Sequence, residues 1–216
     1  MIRRLPRSTL GPYTTRCRSY EPDKDKQKDF YAEAEKLAKR AVELKPNDPE
    51  AHFSVARAVG RVALSLGKKE RVRYAKEVRT EALETLRLDS AHAGANHVMG
   101  RWNAEIMRLS GFSRFMAKNF LGGDVFGTAS WAEAARYMER AVALDPNALE
   151  AHALRMLARL ESGDAAGAAA AADQVQQVEP TFWSVTAIAA YYLAGKLPEA
   201  QAMAERVMQD DPGNAR

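Results

Sequence analysis

Four stretches of the chain end alike, and this repetition constrains the fold more than any other feature. Ala41-Val42-Glu43-Leu44-Lys45-Pro46, Ala141-Val142-Ala143-Leu144-Asp145-Pro146 and Gln177-Val178-Glu179-Pro180 each run into a proline, and Gln209-Asp210-Asp211-Pro212 repeats the ending. Leu86-Arg87-Leu88-Asp89-Ser90 is a variant with serine in the proline position. Pro146 and Pro180 lie 34 residues apart, and Pro180 and Pro212 lie 32 apart. A period in this range marks stacked supersecondary units, each burying its apolar face only against its neighbours. Ala134, Met138 and Ala141 precede Pro146 at a spacing that Ala34, Ala38 and Ala41 keep before Pro46, and Ala200, Ala204 and Val207 before Pro212. Residues four and seven apart share one helical face, and small side chains there let a second helix approach closely. The proline beyond has no N–H with which to continue the helix.

Reading back from each ending predicts helix pairs at 49–66/72–88, 92–109/130–144, 149–161/165–178 and 183–194/198–209, after a lone second helix at 28–44. Glu50-Ala51-His52 and Glu150-Ala151-His152 open two of the first helices, and Met99-Gly100 supplies the bulky-then-small pair at a helix crossing. Gly163 and Gly195 mark turns where a positive φ is needed. Hydrophobic residues make up 46% of the chain, enough for a core, and no long Val/Ile/Thr run alternates with period two as strands require. The expected fold class is all-α: a tetratricopeptide-like right-handed superhelix of helix pairs, with an extra helix in an insertion. Residues 1–27 are expected to be a disordered or truncated N-terminal segment, and 28–212 the repeat domain, with insertions at 67–72 and 110–129. The lone helix at 28–44 implies either truncation or association through the ends of the array.

The second insertion contains Leu109-Ser110-Gly111, then Phe126-Gly127-Thr128-Ala129-Ser130. His97-Val98-Met99-Gly100-Arg101-Trp102 stands before it and Trp131-Ala132-Glu133-Ala134-Ala135 after it. Over residues 28–180 the chain resembles the regulator of microtubule dynamics family, its bacterial relatives especially. That resemblance implies a soluble tetratricopeptide fold. For animal members it also implies microtubule association, a partner that a bacterial member need not share.

Charge is unevenly distributed. Residues 1–129 carry 25 Lys/Arg against 16 Asp/Glu, and residues 130–216 carry 7 against 12. A basic front half suits an acidic partner. Helical-repeat arrays take extended peptides along the concave face of their first helices. Four-residue spacing puts Phe53, Arg57 and Arg61 on one such face, and His97, Arg101 and Glu105 on the next. Arg57 and Arg101 occupy equivalent slots, so their guanidinium groups are candidates to hold a carboxylate through paired hydrogen bonds. The alternative is structural, with the two arginines bridging to Glu105 and Glu50. The Lys/Asn set of a chaperone-tail carboxylate clamp is missing, since the equivalent slots hold Phe53, His97 and Ala153.

A second candidate is the basic stretch Lys68, Lys69, Arg71, Arg73, Lys76 and Arg79, facing tubulin's acidic tails, nucleic acid or anionic lipid, or simply solvated. Tyr74 is its lone aromatic, which gives no stacking platform and no strong nucleic-acid signal. Phe112, Phe115, Met116 and Phe120 predict an amphipathic helix, set to fill the gap the insertion opens or to touch a membrane or partner helix.

No catalytic site, cofactor or metal centre is expected. His92 and His97 are five apart and do not share a helical face, while His52 and His152 hold matching repeat slots, which argues packing. Cys17, the single cysteine, cannot form an internal disulfide and lies in the expected disordered start. No run of about 18 apolar residues predicts a membrane span. Arg3, Arg4, Arg7, Arg16 and Arg18 precede the first acid, Glu21, as in a mitochondrial presequence, but Pro6, Gly11 and Pro12 interrupt the helix such a signal needs. The expected function is therefore a protein-interaction scaffold, cytoplasmic, with mitochondrial association or export as alternatives. Its partner is expected to be a protein or peptide, tubulin or another acidic protein among the candidates, with end-to-end self-association as a further option.

Overall fold

The computed structural model describes residues 24–66, 68–109, 124–179 and 185–210. These form nine α-helices: α1 Lys24–Leu44, α2 Pro49–Ser65, α3 Lys68–Leu88, α4 Ala93–Arg108, α5 Trp131–Leu144, α6 Leu149–Glu161, α7 Ala165–Val178, α8 Val185–Leu193 and α9 Leu197–Asp210. A short 3-10 helix, Asp124–Thr128, precedes α5. No strand occurs among the described residues. Each helix packs on the next in the chain, and α2, α4, α6 and α8 also touch in succession, α2 on α4, α4 on α6 and α6 on α8. They form the inner row of the array, and the remaining helices form the outer row.

The small-residue pattern is what closes this stack. Ala134, Met138 and Ala141 on α5 are all buried, and so are Ala168, Ala172 and Val175, the residues 34 positions later on α7. At Gly100 on α4 an added Cβ would lie 2.7 Å from Cε of Met138, so any side chain there forces the buried Met138 to shift at the crossing of α4 and α5. On α9, where the small Ala204 holds the slot that Met138 fills on α5, Met203 one position earlier is buried.

Local chemistry sets the helix ends. Asp48, His92, Ser130 and Asp164 accept hydrogen bonds from the first-turn N–H groups of α2, α4, α5 and α7, satisfying donors that a helix leaves free. Gly163 and Gly195 turn the chain at φ +86° and +76°. His52 and His152 explain why the repeat keeps a histidine. The Nε2 atoms of both lie 2.9 Å from the carbonyl oxygen of the terminating proline six residues earlier, Pro46 and Pro146. Each thereby ties the start of an inner helix to the preceding turn.

Two boundaries differ from the sequence expectation. Helix α1 starts at Lys24, four residues before position 28. Helix α3 begins at Lys68, four residues before position 72. Its Lys-Lys-Glu-Arg opening is made of strong helix formers, so the extra residues lengthen the hairpin instead of its turn. Of the longer insertion, Phe126 is buried and stacks on Trp102 with ring centroids 5.8 Å apart. The helix expected over Phe112, Phe115, Met116 and Phe120 lies outside the described residues, as do Cys17 and the rest of residues 1–23. Exposed apolar side chains cluster on α1 (Phe30, Leu37, Leu44) and along α8 and α9 (Tyr192, Leu193, Leu197).

Candidate functional site

A trough of about 890 Å³ opens on the inner row between α1, α2 and α4, with the first turn of α6 at its edge. Phe53, Arg57, Arg61, His97, Arg101 and Glu105 all line it. The floor is apolar, with Ala38 and Ala41 of α1 and Val98, Trp102 and Ile106 of α4 among its residues. Trp102 is fixed there by donating Nε1–H to the carbonyl of Ala75, 2.8 Å away.

The charged groups in the trough fall into two sets. Arg101 donates from Nη1 to Glu150 Oε1 at 2.7 Å, and Glu105 is bound by Arg108 at 3.0 Å. Neither Arg57 nor Arg61 has a carboxylate partner among the described residues. Arg57 lies over the ring of Phe53, 5.4 Å from its centroid, a cation–π contact that holds the guanidinium without neutralising it. Phe53 in turn leans on His92 (centroids 4.4 Å apart) and on Gly94, where an added Cβ would collide with the ring. Gly94 therefore makes room for the aromatic that carries Arg57, a role that nothing in the repeat pattern signals.

His97 is pushed below its ordinary pKa of 6.5 by burial; Glu150 opposes that shift and Arg101 adds to it. It is therefore neutral at neutral pH, and its 3.8 Å approach to Glu150 is not an ion pair. The open cationic groups of the trough are Arg57 and Arg61. Of the Arg57/Arg101 pair expected from equivalent slots, Arg101 is engaged by Glu150 from α6, whereas Arg57 has no carboxylate partner among the described residues. Among the described residues the two arginines do not bridge to Glu105 and Glu50 either. Glu50 meets His92 Nε2 at 3.1 Å, and Glu105 meets Arg108.

The basic stretch on α3 does not form one face. Arg71 and Arg73 are exposed, whereas Lys76 and Arg79 are half-buried. Arg71 donates to the carbonyl of Leu66, Arg73 lies 5.1 Å from the Tyr74 ring centroid, and Arg79 stacks over Trp102 at 5.6 Å. Glu77 in the same stretch binds Lys39 of α1 at 2.8 Å. Arg71 and Arg73, two residues apart, point to nearly opposite sides of the helix. The side chains of Lys68 and Lys69 lie outside the described residues.

Among the described residues no group of three or more His, Cys, Asp or Glu side chains could hold a metal ion, and no helix is long and apolar enough to cross a membrane.

A family model described as regulator of microtubule dynamics protein 1-3 matches residues 10–182. No curated protein matches the chain. Among solved structures, one crystal structure of MamA superposes with a TM-score of 0.61 at 17% identity, covering 89% of this chain and 95% of that one. A second crystal structure of MamA gives 0.60 at 17% identity, with 89% of each chain covered. A thermophilic TPR protein from Thermus thermophilus gives 0.51 at 18% identity, covering 85% of this chain and 84% of that one. These likenesses show the tetratricopeptide-like fold.

Proposed function

The chain belongs to the regulator of microtubule dynamics family, and from that premise we propose that it is a protein-interaction scaffold whose inner trough takes an acidic, partly apolar segment of a partner chain. The observation that carries this reading is the pair Arg57 and Arg61, standing without carboxylate partners among the described residues above an apolar floor, while Arg101 and Glu105 are paired. A guanidinium grips a carboxylate through charge-assisted hydrogen bonds, and the floor accepts the apolar side chains between acidic ones. Binding along the inner helices is the mode that helical repeats favour.

A fluorescein-labelled peptide of alternating glutamate and leucine tests this by anisotropy titration. Arg57→Glu with Arg61→Glu is expected to weaken binding by about ten- to a hundredfold, the loss of one or two hydrogen bonds to charged groups. Rising salt is expected to weaken the wild type as well. An unchanged Kd in the double variant, with helicity intact, removes the trough from consideration.

Family membership favours a second reading, in which the scaffold is a microtubule-associated regulator. The front half of the chain is basic, and the acidic tails of tubulin are segments of the chemistry the trough suits. Co-sedimentation with microtubules at low salt tests it, with the same double variant as control. No pelleting above background discards this reading and leaves the first standing.

A further inference from the structure

We propose that Glu150 is a built-in competitor of the trough's partner, occupying on Arg101 a position that one of the partner's own carboxylates takes on binding. The inference rests on the trough reading above and deepens it. Glu150 belongs to the first turn of α6, yet its carboxylate reaches across to α4 and lies 2.7 Å from Arg101 Nη1. Its side chain is 62% exposed and that of Arg101 43%, so this is a solvent-accessible pair and not a buried strut. Surface pairs of this kind are held weakly, and a carboxylate arriving from outside exchanges with the resident one at little cost. Both residues line the same cavity as Arg57 and Arg61. The full cationic row is therefore Arg57, Arg61 and Arg101, with one position already filled from within the chain. A partner segment with acidic side chains at separated positions anchors on the open pair of α2. It then displaces Glu150 from α4, which makes Glu150 a determinant of how many carboxylates a partner needs.

The experiment is the glutamate/leucine peptide titration on the full chain, extended to Glu150→Gln, Arg101→Gln and their combination. Glu150→Gln keeps the side-chain shape and frees Arg101, so the peptide is expected to bind about two- to fivefold more tightly, the span a surface ion pair represents. Arg101→Gln alone is expected to change little, because its charge is already engaged. In the Glu150→Gln background the same change is expected to erase the gain, and that non-additivity is the signature. Glu161→Gln removes one negative charge from the far end of the same helix and is expected to leave the Kd unchanged. Equal tightening by Glu150→Gln and Glu161→Gln, no tightening at all, or a gain that survives loss of Arg101 overturns the proposal. If Arg57→Glu with Arg61→Glu binds the peptide like the wild type, or the wild type does not bind it, the trough reading itself fails. If that control behaves as expected and Glu150→Gln does not, only the competitor fails.

Discussion

Alanine at Gly60 and alanine at Gly100 should move stability in opposite directions, although both glycines sit inside inner-row helices. At Gly100 the new methyl would lie 2.7, 2.8 and 3.0 Å from Cε, Cγ and Sδ of Met138, a side chain with 0% exposure. Overpacking a filled core costs about 1–3 kcal/mol, and the better helix propensity of alanine returns about 1 kcal/mol, so the net loss spans about 0–2 kcal/mol and centres on about 1 kcal/mol. At Gly60 the nearest neighbour is Val78 Cγ2 at 3.8 Å, an ordinary van der Waals separation. Only the propensity and unfolded-chain terms remain there, a gain of about 0.5–1 kcal/mol. For a chain of this size each kcal/mol shifts the melting temperature by roughly 2–4 °C, so at the centre of these ranges, a difference of about 2 kcal/mol, the two variants should differ by roughly 4–8 °C. Thermal melts followed by far-UV circular dichroism measure this directly. Met138→Ala supplies the internal check, since it opens the space and should shrink the cost of Gly100→Ala. Variants that melt together, or a Gly100→Ala protein more stable than Gly60→Ala, would refute the close crossing of α4 and α5.

Two further outcomes follow from buried polar groups. Burial lowers the pKa of His52, but the hydrogen bond to the Pro46 carbonyl and the contact with Glu81 outweigh it, so the folded value lies above the ordinary 6.5. A raised folded pKa stabilises fully below 6.5, and the benefit is lost as pH climbs through the folded value. His52→Gln should therefore cost about 1.5–3 kcal/mol at about pH 5.5 and less at about pH 8.5, read from urea midpoints at both. Arg155 is 9% exposed and has no carboxylate partner among the described residues; its Nη2 donates to the exposed Gln174, and its Nε is left without a hydrogen bond. Val55 sits in the equivalent slot of α2, so Arg155→Met should be neutral or stabilising by about 1 kcal/mol or more, and a lower melting temperature would count against this view.

The helical hairpins were legible because their cause is local. Ala134, Met138 and Ala141 recur at a spacing that only a helix turns into one face, and a proline marks where that face ends. The start of α3 was not legible in the same way. Reading back from the Leu86–Ser90 ending puts the first residue of α3 at 72, whereas the lysines and arginines before that position themselves favour helix. In the trough, Phe53, Arg57 and Arg61 were placed by four-residue spacing within α2, and His97, Arg101 and Glu105 by the same count within α4. Glu150 escaped because its contact with Arg101 spans 49 residues and an insertion, and periodicity carries no information about that distance. Arg79 escaped for a related reason: its membership in a basic run hid the contact with Trp102 that takes it off the surface. Packing was the correct reading for His52 and His152, but the proline carbonyls they bind, and the different second partners, Glu81 for His52 and Arg155 for His152, required coordinates.

An acidic segment is proposed to bind on the inner row through Arg57 and Arg61. Side-chain Nε–Hε resonances of individual arginines report this most directly when the glutamate/leucine peptide is titrated into the labelled full chain. Arg57 and Arg61 are expected to shift saturably, Arg101 less, and Arg140 and Arg206 on the outer helices not at all. Shifts confined to Arg71 and Arg73, or spread evenly over the outer arginines, would contradict it.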